Sequence, residues 1–333
     1  MKTNDREPTT KEKVLKLLKQ NANDYVSGQQ IADSLFITRA GIWKAIKSLR
    51  ESGYDIESVT NRGYRLIETY DSIDCSILKR ELDEFELECL FFDEVDSTNE
   101  RVKEFSGKSK DVLIVAGKQT SGRGRRGRSF YSPGGSGLYF SLLIHPKISF
   151  SDAKMLTCLT AEALVLAIKE VTEIDVSIKW LNDIFLNDKK IAGILTETFG
   201  SLEEEYPEYV IIGVGINVFK PSEEIPKDIK NKMGFLLKSN ADSANVMNEI
   251  CIWTIRNIYG FLDDFESKTF IEGYRKHSNL IGKYVRISDS DHSAGRREYA
   301  LVKGIDDECR LIVEFEDGRI TALRGGEVSV MKY

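Results

Sequence analysis

The spacing of hydrophobic positions near the start of the chain predicts two short helices. Apolar residues recur three and four positions apart within residues 11–20, which is typical of an amphipathic helix. A second helix is expected to run to Leu35. Ser27 would be its N-cap and Gln30 would return the hydrogen bond, because Ser and Gln at this spacing form a capping box.

A third helix and a two-stranded ribbon are predicted to follow. Thr38 is a good N-cap for a helix that runs to about residue 52 and stops at Gly53. Residues 54–59 and 63–67 then alternate between apolar and polar side chains around a turn at 60–62, as hairpin strands do. Helix, turn, helix and ribbon in this order predict a winged helix.

The rest of the chain predicts two further units after a linker at residues 68–76. In residues 77–277, strand-like runs lie at 112–116, 138–144, 176–180, 184–186, 191–196 and 209–213. Helices are expected at 151–172 (with Ser151 as N-cap), 245–265 and 269–277. The tail, 282–333, has short alternating runs between Gly or Asp turns, which predicts a small β-barrel. The fold class is therefore α+β, with domains at 1–66, 77–277 and 282–333.

Composition narrows the location and the chemistry. No apolar run approaches the roughly 18 residues of a membrane span, and residues 1–6 lack the apolar core of a signal peptide, so we expect a cytoplasmic protein. The five cysteines contain no CxxC pair and are expected to be reduced thiols. The three histidines are scattered, and no metal cage or nucleophile–histidine arrangement can be argued from them.

Charge is distributed unevenly and points to DNA. Residues 1–66 carry twelve Lys/Arg against eight Asp/Glu, a net charge of +4, whereas the remainder carries 35 against 45, a net charge of −10. On the third helix an apolar stripe lies opposite a basic one, as a major-groove helix requires. The alternative is a protein-interaction module with a solvated charged face. The candidate DNA-binding residues are Arg39, Trp43, Lys44, Lys47, Arg50 and, at the tip of the ribbon, Arg62.

A run of four arginines and three glycines at 122–128 carries the sharpest chemical signal. Its glycines match the GxGxxG dinucleotide fingerprint, but that fingerprint needs a helix directly after it, and here more loop follows. A mobile phosphate clamp fits better, since arginine forks neutralise phosphate and glycines let the backbone approach an anion. An electrostatic RNA-binding stretch is the plainer alternative.

Three further segments could complete a small-molecule site. Lys179 ends an apolar strand, where one ammonium could bridge a carboxylate and a phosphate, or simply face solvent. Residues 97–100 place hydroxyl and amide side chains at a helix start, with Ser97 and Glu100 also suited to a capping box. Residues 213–217, GxGxN, could pack closely on a nucleotide or form a tight turn.

In this order, these segments resemble the bifunctional biotin protein ligase and biotin operon repressor family of bacteria. The similarity covers nearly the whole chain and includes residues 27–66, 97–99, Gln119, 213–217 and 324–327. The run at 122–128 followed by 179–183 is highly specific, since lipoate ligases share the fold but lack that run. Two positions depart from the family pattern: Leu181 stands where proline is usual, and Phe130 where tryptophan is usual.

The resemblance implies a fold, an activity and partners. It implies an N-terminal winged helix-turn-helix, a central class II synthetase-like mixed sheet with helices, and a C-terminal SH3-like β-barrel. The enzyme would form biotinyl-5′-AMP from biotin and MgATP and pass biotin to a lysine of the biotin carboxyl carrier protein of acetyl-CoA carboxylase. The adenylate would act as corepressor and promote a homodimer, through the central sheet, that binds operator DNA.

Residue roles are likewise implied by the resemblance. Lys179 and Arg125 would be catalytic, and no residue is assigned to a metal. The biotin contacts would be Ser97, Thr98, Asn99, Gln119, Arg123, Gly124, Arg125 and Lys179. The nucleotide contacts would be Arg123, Arg125, Arg128, Asn182 and Asn217. Two competing hypotheses are a biotin-sensing regulator with inactive catalysis and a lipoate or related acyl-protein ligase with an unrelated DNA-binding domain.

Overall fold

The computed structural model describes residues 9–21, 24–51, 54–60, 62–68, 73–201, 203–238, 245–288 and 298–330. Its first unit has three helices and an antiparallel hairpin: α1 Thr10–Gln20, α2 Gly28–Leu35, α3 Arg39–Glu51, β1 Asp55–Val59 and β2 Gly63–Glu68. The predicted helix stop at Gly53 and the turn residue Asn61 lie outside the described residues.

Predicted caps hold two of these helices. Ser27 Oγ accepts from the Gln30 amide at 3.1 Å, and the Ser27 amide donates to Gln30 Oε1 at 2.8 Å, so the capping box is confirmed. Thr38 Oγ1 accepts from the Gly41 amide at 3.2 Å and caps α3. The apolar stripes of the helices meet in a core of their own that includes Leu18, Ile31, Ile46 and Leu66. The hydrophobic pattern therefore predicted this unit correctly.

A seven-stranded mixed sheet forms the centre of the body. In spatial order it consists of β3 Glu88–Phe92, β4 Val112–Ala116, β5 Gly137–Ile144, β9 Tyr209–Asn217, β8 Lys189–Phe199, β7 Asp183–Leu186 and β6 Ser177–Lys179. Only the β3–β4 pairing is parallel among the described strands. The helices are α4 Cys75–Glu81, α5 Thr98–Lys103, α6 Leu156–Thr172, α7 Lys227–Lys230, α8 Val246–Asp263 and α9 Thr269–His277. Of these, α8 and α9 pack against α6, whose side chains are largely buried.

Two local predictions in the body were wrong. Ser151 makes no capping hydrogen bond; a 3₁₀ turn at Asp152–Met155 precedes α6, and Ser149 Oγ accepts the Asp152 amide instead. The predicted linker ends early, because Asp74 caps α4 by accepting the Ser76 amide at 2.9 Å. The part of that linker at 69–72 lies outside the described residues.

The tail forms a five-stranded antiparallel sheet that continues the core of the body. Its order is β13 Ile320–Leu323, β12 Leu311–Phe315, β11 Glu298–Ile305, β10 Tyr284–Ser288 and β14 Glu327–Val330. The predicted barrel is not confirmed, because the described strands form an open sheet with β13 and β14 at opposite edges. Trp180 Nε1 donates to the Cys309 carbonyl at 2.9 Å and so ties this sheet to the end of β6.

All five cysteines are free thiols. Among the helices in the described part of the chain, none combines the length and apolar character needed to cross a membrane.

Candidate active site and DNA-facing helix

A cavity of about 440 Å³ opens where β6, β8 and β9 meet the arginine-glycine loop, residues 121–130. It brings together ten of the eleven residues predicted to contact biotin or nucleotide: Ser97, Thr98, Asn99, Gln119, Arg123, Gly124, Arg125, Arg128, Lys179 and Asn182. The eleventh, Asn217, is not among the lining residues; it is buried at the end of β9, and its Oδ1 has no hydrogen-bond partner among the described residues. Gly326, Val328 and Ser329 add a wall from the tail sheet.

Side-chain hydrogen bonds fix the first residues of α5. The Thr98 amide and Oγ1 both donate to Gln119 Oε1, at 2.8 and 3.1 Å, and Gln119 Nε2 donates to Ser132 Oγ at 2.8 Å. Ser97 occupies the N-cap position without a capping hydrogen bond, so the predicted capping box with Glu100 is absent. This corner of the cavity therefore presents hydroxyl and amide groups in fixed orientations to a small polar ligand.

Asn99 is held from below by the sheet. Ser141 Oγ donates to Asn99 Oδ1 at 2.6 Å, and Asn99 Nδ2 donates to Glu197 Oε2 at 2.7 Å. An ideal Cβ on Gly213 would lie 2.0 Å from Asn99 Oδ1, so only glycine fits there. The predicted tight turn is wrong, because residues 209–217 are a continuous strand paired on both sides. The first glycine of the GxGxN pattern, Gly213, is therefore required by the close approach of Asn99.

The arginine-glycine loop is a tight hairpin. The Gly124 amide donates to the Arg128 carbonyl at 2.7 Å, and the Phe130 amide donates to the Gly122 carbonyl at 2.7 Å. A single 3₁₀ turn at Arg125–Gly127 forms its tip, and extended chain follows. The dinucleotide interpretation is thereby excluded, because no helix begins after the glycines.

Phe130 anchors the end of this loop on the sheet. Gly193 and Gly215 are cross-strand partners of β8 and β9. Ideal Cβ atoms on them would lie 3.5 Å and 2.5 Å, respectively, from the Phe130 ring. The paired glycines make a flat surface for the ring, which the separate sequence motifs did not reveal.

Arg125 reaches across the cavity to the segment 179–183. Its Nη1 donates to Asn182 Oδ1 at 3.0 Å, and Asn182 Nδ2 donates to the Ile194 carbonyl at 3.0 Å. Burial lowers the pKa of Arg125, with a contribution from the neighbouring Arg126. A guanidinium stays charged at neutral pH even so, so the cavity keeps a partly desolvated positive charge.

Lys179 stands at the end of β6, half-buried, with Nζ 5.7 Å from the centroid of the Phe185 ring. The next residue but one, Leu181, follows a cis peptide bond, and its carbonyl accepts from Tyr274 Oη at 2.8 Å. The remaining cations that line the cavity are Arg123, Arg125, Arg126, Arg128, Lys190 and Lys232. Asp183 is the one carboxylate on the described lining, and it accepts from Lys190 Nζ at 2.6 Å. This balance suits a ligand with several negative charges.

The described residues contain no group of three or more His, Cys, Asp or Glu side chains that could hold a metal ion.

The solvent face of α3 carries most of the predicted DNA contacts. Trp43 is 58% exposed, with Lys47 Nζ 5.7 Å above its ring, and Lys44 is exposed beside them. Arg39 is also exposed, and its Nη2 donates to Gln29 Oε1 at 2.9 Å. These four side chains form one surface, which we call the α3 face.

The two other predicted DNA contacts, Arg50 and Arg62, each have a partner within the first unit. Arg50 donates through Nε and Nη2 to the Ile56 carbonyl, at 3.0 and 2.5 Å, so a contact with DNA would require breaking these bonds. Arg62 is exposed at the turn, with its guanidinium 4.6 Å from the centre of the Tyr25 ring. Helical periodicity predicted Arg50 on the basic side of α3, and the turn pattern predicted Arg62 at the tip of the ribbon, but neither could reveal the hydrogen bonds of Arg50 to the Ile56 carbonyl.

Comparison with known proteins matches these features. Residues 91–217 match the biotin/lipoate A/B protein ligase family, and residues 10–65 match an HTH domain family. The chain is 33% identical over 319 residues to the bifunctional ligase/repressor BirA of Bacillus subtilis, covering 93% of this chain and 95% of that protein. It is 30% identical over 322 residues to BirA of Escherichia coli, covering 95% and 96%.

A solved structure shows the same fold of the body. The biotin protein ligase from Aquifex aeolicus, in complex with biotin and ATP, superposes with a TM-score of 0.60 at 29% identity. The match covers 74% of this chain and 99% of that one. Since the BirA relatives are matched over nearly their whole length, the chain belongs to the bifunctional ligase/repressor family.

Proposed function

We infer that this protein is a biotin protein ligase and a biotin-operon repressor. It forms biotinyl-5′-AMP from biotin and ATP and transfers biotin to a lysine of the biotin carboxyl carrier protein of acetyl-CoA carboxylase. The observation that carries the ligase activity is one cavity in which the fixed polar corner at Ser97, Thr98 and Asn99 faces a group of lysines and arginines. Membership of the ligase/repressor family supports both activities.

Biotin would bind with its ureido ring at the polar corner. A ureido group has one strong acceptor and two donors, and the corner offers hydroxyls and amides of both kinds. Both the oxygen and the nitrogen of the Gln119 amide are hydrogen-bonded, so this side chain would already have its final orientation before biotin binds. Arg123 and Gly124 would then close over the ring from the loop.

Lys179 would hold the two anions together during adenylation. The biotin carboxylate attacks the α-phosphorus of ATP, a C–O–P bond forms, and pyrophosphate leaves with the electron pair of the broken P–O bond. An ammonium between carboxylate and phosphate lowers their repulsion and stabilises charge that builds up on the phosphoryl oxygens. Arg125, partly desolvated and held by Asn182, would neutralise the same phosphate. Arg128 would add charge at the nucleotide side, and Asn217 remains a predicted nucleotide contact.

Mg²⁺ would enter as part of the substrate MgATP, held mainly by triphosphate oxygens. Asp183 is the lining carboxylate that could approach it, and it would have to share its oxygens with Lys190.

The loop would protect the product until the acceptor arrives. A mixed anhydride hydrolyses in water, so the hairpin with its Phe130 anchor must cover it. In the second step the neutral acceptor lysine amine attacks the biotinyl carbonyl carbon. An amide forms, the nitrogen releases one proton to solvent, and AMP leaves with the electrons of the broken C–O bond. The loop would have to admit one lysine side chain without admitting bulk water.

The winged helix would supply the repressor activity. The α3 face would enter the major groove, and Arg62 would reach a phosphate or a minor groove from the ribbon. We also infer a homodimer formed through the central sheet with the adenylate as corepressor, since two winged helices match a two-part operator. An SH3-like barrel for the tail, a class II synthetase-like fold for the central sheet and a cytoplasmic location belong to the same proposal.

Pyrophosphate release tests the ligase proposal. With MgATP, biotin should start release and lipoate should not. Release with lipoate alone would transfer the assignment to an acyl-protein ligase of the lipoate type. If neither biotin nor lipoate starts pyrophosphate release, the remaining interpretation is a biotin-sensing DNA-binding protein without ligase activity.

A further inference from the structure

A chain of alternating charges connects the buried Asn99 to the arginine-glycine loop. Asn99 Nδ2 donates to Glu197 Oε2 at 2.7 Å, and Lys103 Nζ donates to Glu197 Oε1 at 3.2 Å. Lys103 Nζ also donates to Glu100 Oε1 at 2.6 Å, and that same oxygen accepts from Arg123 Nη1 at 2.5 Å. Four charged groups thus link the floor of the cavity to its cover.

The links differ from ordinary surface ion pairs in their surroundings. The side chains of Glu100, Lys103 and Glu197 are each only about a quarter exposed, and each has two polar partners within the chain of contacts. Neutralising Lys103 or Glu197 would leave a partly buried charge on its neighbour. Burial acts to lower the pKa of Lys103, but the hydrogen bonds and charges of Glu100 and Glu197 together outweigh it and raise that pKa above its usual value, so the ammonium stays charged.

In this series of contacts, Glu100 pairs with Arg123 of the arginine-glycine loop but does not itself line the cavity. It lies on α5, directly after the residues of the polar corner, and its position relative to Asn99 is therefore fixed by the helix backbone. Arg123 is half exposed and would sample many rotamers without a partner.

We propose that Glu100 is a positioning residue that holds Arg123, and with it the loop, over the polar corner. This inference rests on the proposed function, because it assigns the loop the task of covering biotin. Glu100 contacts no substrate; it acts through Arg123. The contacts run without interruption from Asn99 to Arg123, so Glu100 positions the loop relative to the same asparagine that would meet biotin.

Trypsin provides a direct test, because its cleavage sites in the loop are the arginines themselves. In Glu100→Gln the loop sequence is unchanged, so altered cleavage reports on loop position. We expect cleavage after the arginines at 123, 125, 126 and 128 to become about two- to fivefold faster in the ligand-free protein. That is the range for loss of a surface ion pair, and it applies here because Arg123 is half exposed. Cleavage elsewhere and the unfolding temperature should not change. The KM for biotin should rise by a similar factor, with kcat unchanged.

Glu104→Gln is the matched control. Glu104 follows α5 and pairs with Arg101 at 2.7 Å, away from the loop. It should leave loop cleavage unchanged, and Glu100→Asp, which keeps the charge, should restore most of the protection. Equal loop cleavage in wild type and Glu100→Gln, or an equal increase in Glu104→Gln, would overturn the proposal. Trypsin needs no substrate, so the result stands apart from whether the wild-type protein transfers biotin.

Discussion

Arg125 and Asn182, 57 residues apart in the sequence, are joined by a hydrogen bond of 3.0 Å across the mouth of the cavity. One belongs to the arginine-glycine run and the other to the segment that begins with Lys179. The bond joins the two segments into one site: Asn182 gives a partly buried guanidinium a fixed acceptor, and its own amide is fixed by the Ile194 carbonyl.

The first prediction concerns this bond. Asn182→Ala should lower kcat/KM for adenylate formation about tenfold or more, because hydrogen bonds to charged groups contribute about 1.5–3 kcal/mol. The double variant Arg125→Ala with Asn182→Ala should be little worse than Arg125→Ala alone. A double-mutant cycle on pyrophosphate release measures the coupling between the two. Fully additive effects would show that Asn182 acts independently of Arg125.

A second prediction concerns the contact of Gly213 with Asn99. In Gly213→Ala the new methyl group would overlap Asn99 Oδ1, so Asn99 must move and lose its bonds to Ser141 and Glu197. We expect a loss of about 1–3 kcal/mol in the free energy of unfolding, as for overpacking, and at least about tenfold weaker biotin binding. Titration calorimetry and thermal unfolding measure both.

Gly260 supplies the control for that substitution. It lies within α8, where a Cβ would meet no heavy atom within 4 Å. Gly260→Ala should raise the free energy of unfolding by about 0.5–1 kcal/mol, because alanine is the better helix former, and leave biotin binding unchanged. If Gly213→Ala bound biotin as well as Gly260→Ala, the close approach of Asn99 would have no functional importance.

The elements with a strong local pattern were predicted from the sequence. Strand β4 at Val112–Ala116 and helix α9 at Thr269–His277 have the predicted bounds. Strand β3 was missed because Glu88–Phe92 is a short edge strand without alternation, and its pairing with β4 is set by tertiary contact. Ser151 failed as a cap because its own backbone is helical (φ −67°, ψ −40°), whereas an N-cap residue has extended backbone.

The sequence predicted which residue types line the site, but not which of them contact each other. The polar corner, the arginines and Lys179 carry sequence patterns, whereas Glu197 and Gly193 have roles that depend on residues far away in the chain. Glu197 meets Asn99 because β8 lies beside β9, one of the strands on which α5 packs. Gly193 matters through its cross-strand partner Gly215 and the ring of Phe130, a relationship that no local spacing encodes.

A third prediction separates two basic residues of α3. Arg50→Ala should destabilise the winged helix by about 1–3 kcal/mol, since it removes two bonds to the Ile56 carbonyl, without changing the salt dependence of DNA binding. Lys47→Ala, on the α3 face, should lower the slope of log K against log salt by about 1. Binding to double-stranded DNA of mixed sequence at several salt concentrations measures the slope. An equal loss of slope in both variants would mean that Arg50 leaves the ribbon to contact DNA.

A fourth prediction assigns the two activities to separate parts of the chain. Removing residues 1–66 should abolish salt-sensitive DNA binding and leave adenylate formation intact, because the first unit has its own core and the cavity lies wholly in the remainder. Gel-shift and pyrophosphate assays on the same preparation test both halves. Sequence-specific DNA binding by the shortened protein would place the DNA site elsewhere.

The most direct test of the ligase is transfer to a carrier. Full-length protein, biotin, MgATP and a purified biotin carboxyl carrier domain are mixed, and the carrier is weighed by mass spectrometry. We predict one biotinyl addition that requires ATP, disappears in Lys179→Ala and persists in Lys147→Ala, a control at an exposed lysine outside the cavity. An unmodified carrier with the wild-type protein, or full transfer by a folded Lys179→Ala variant, would contradict the account.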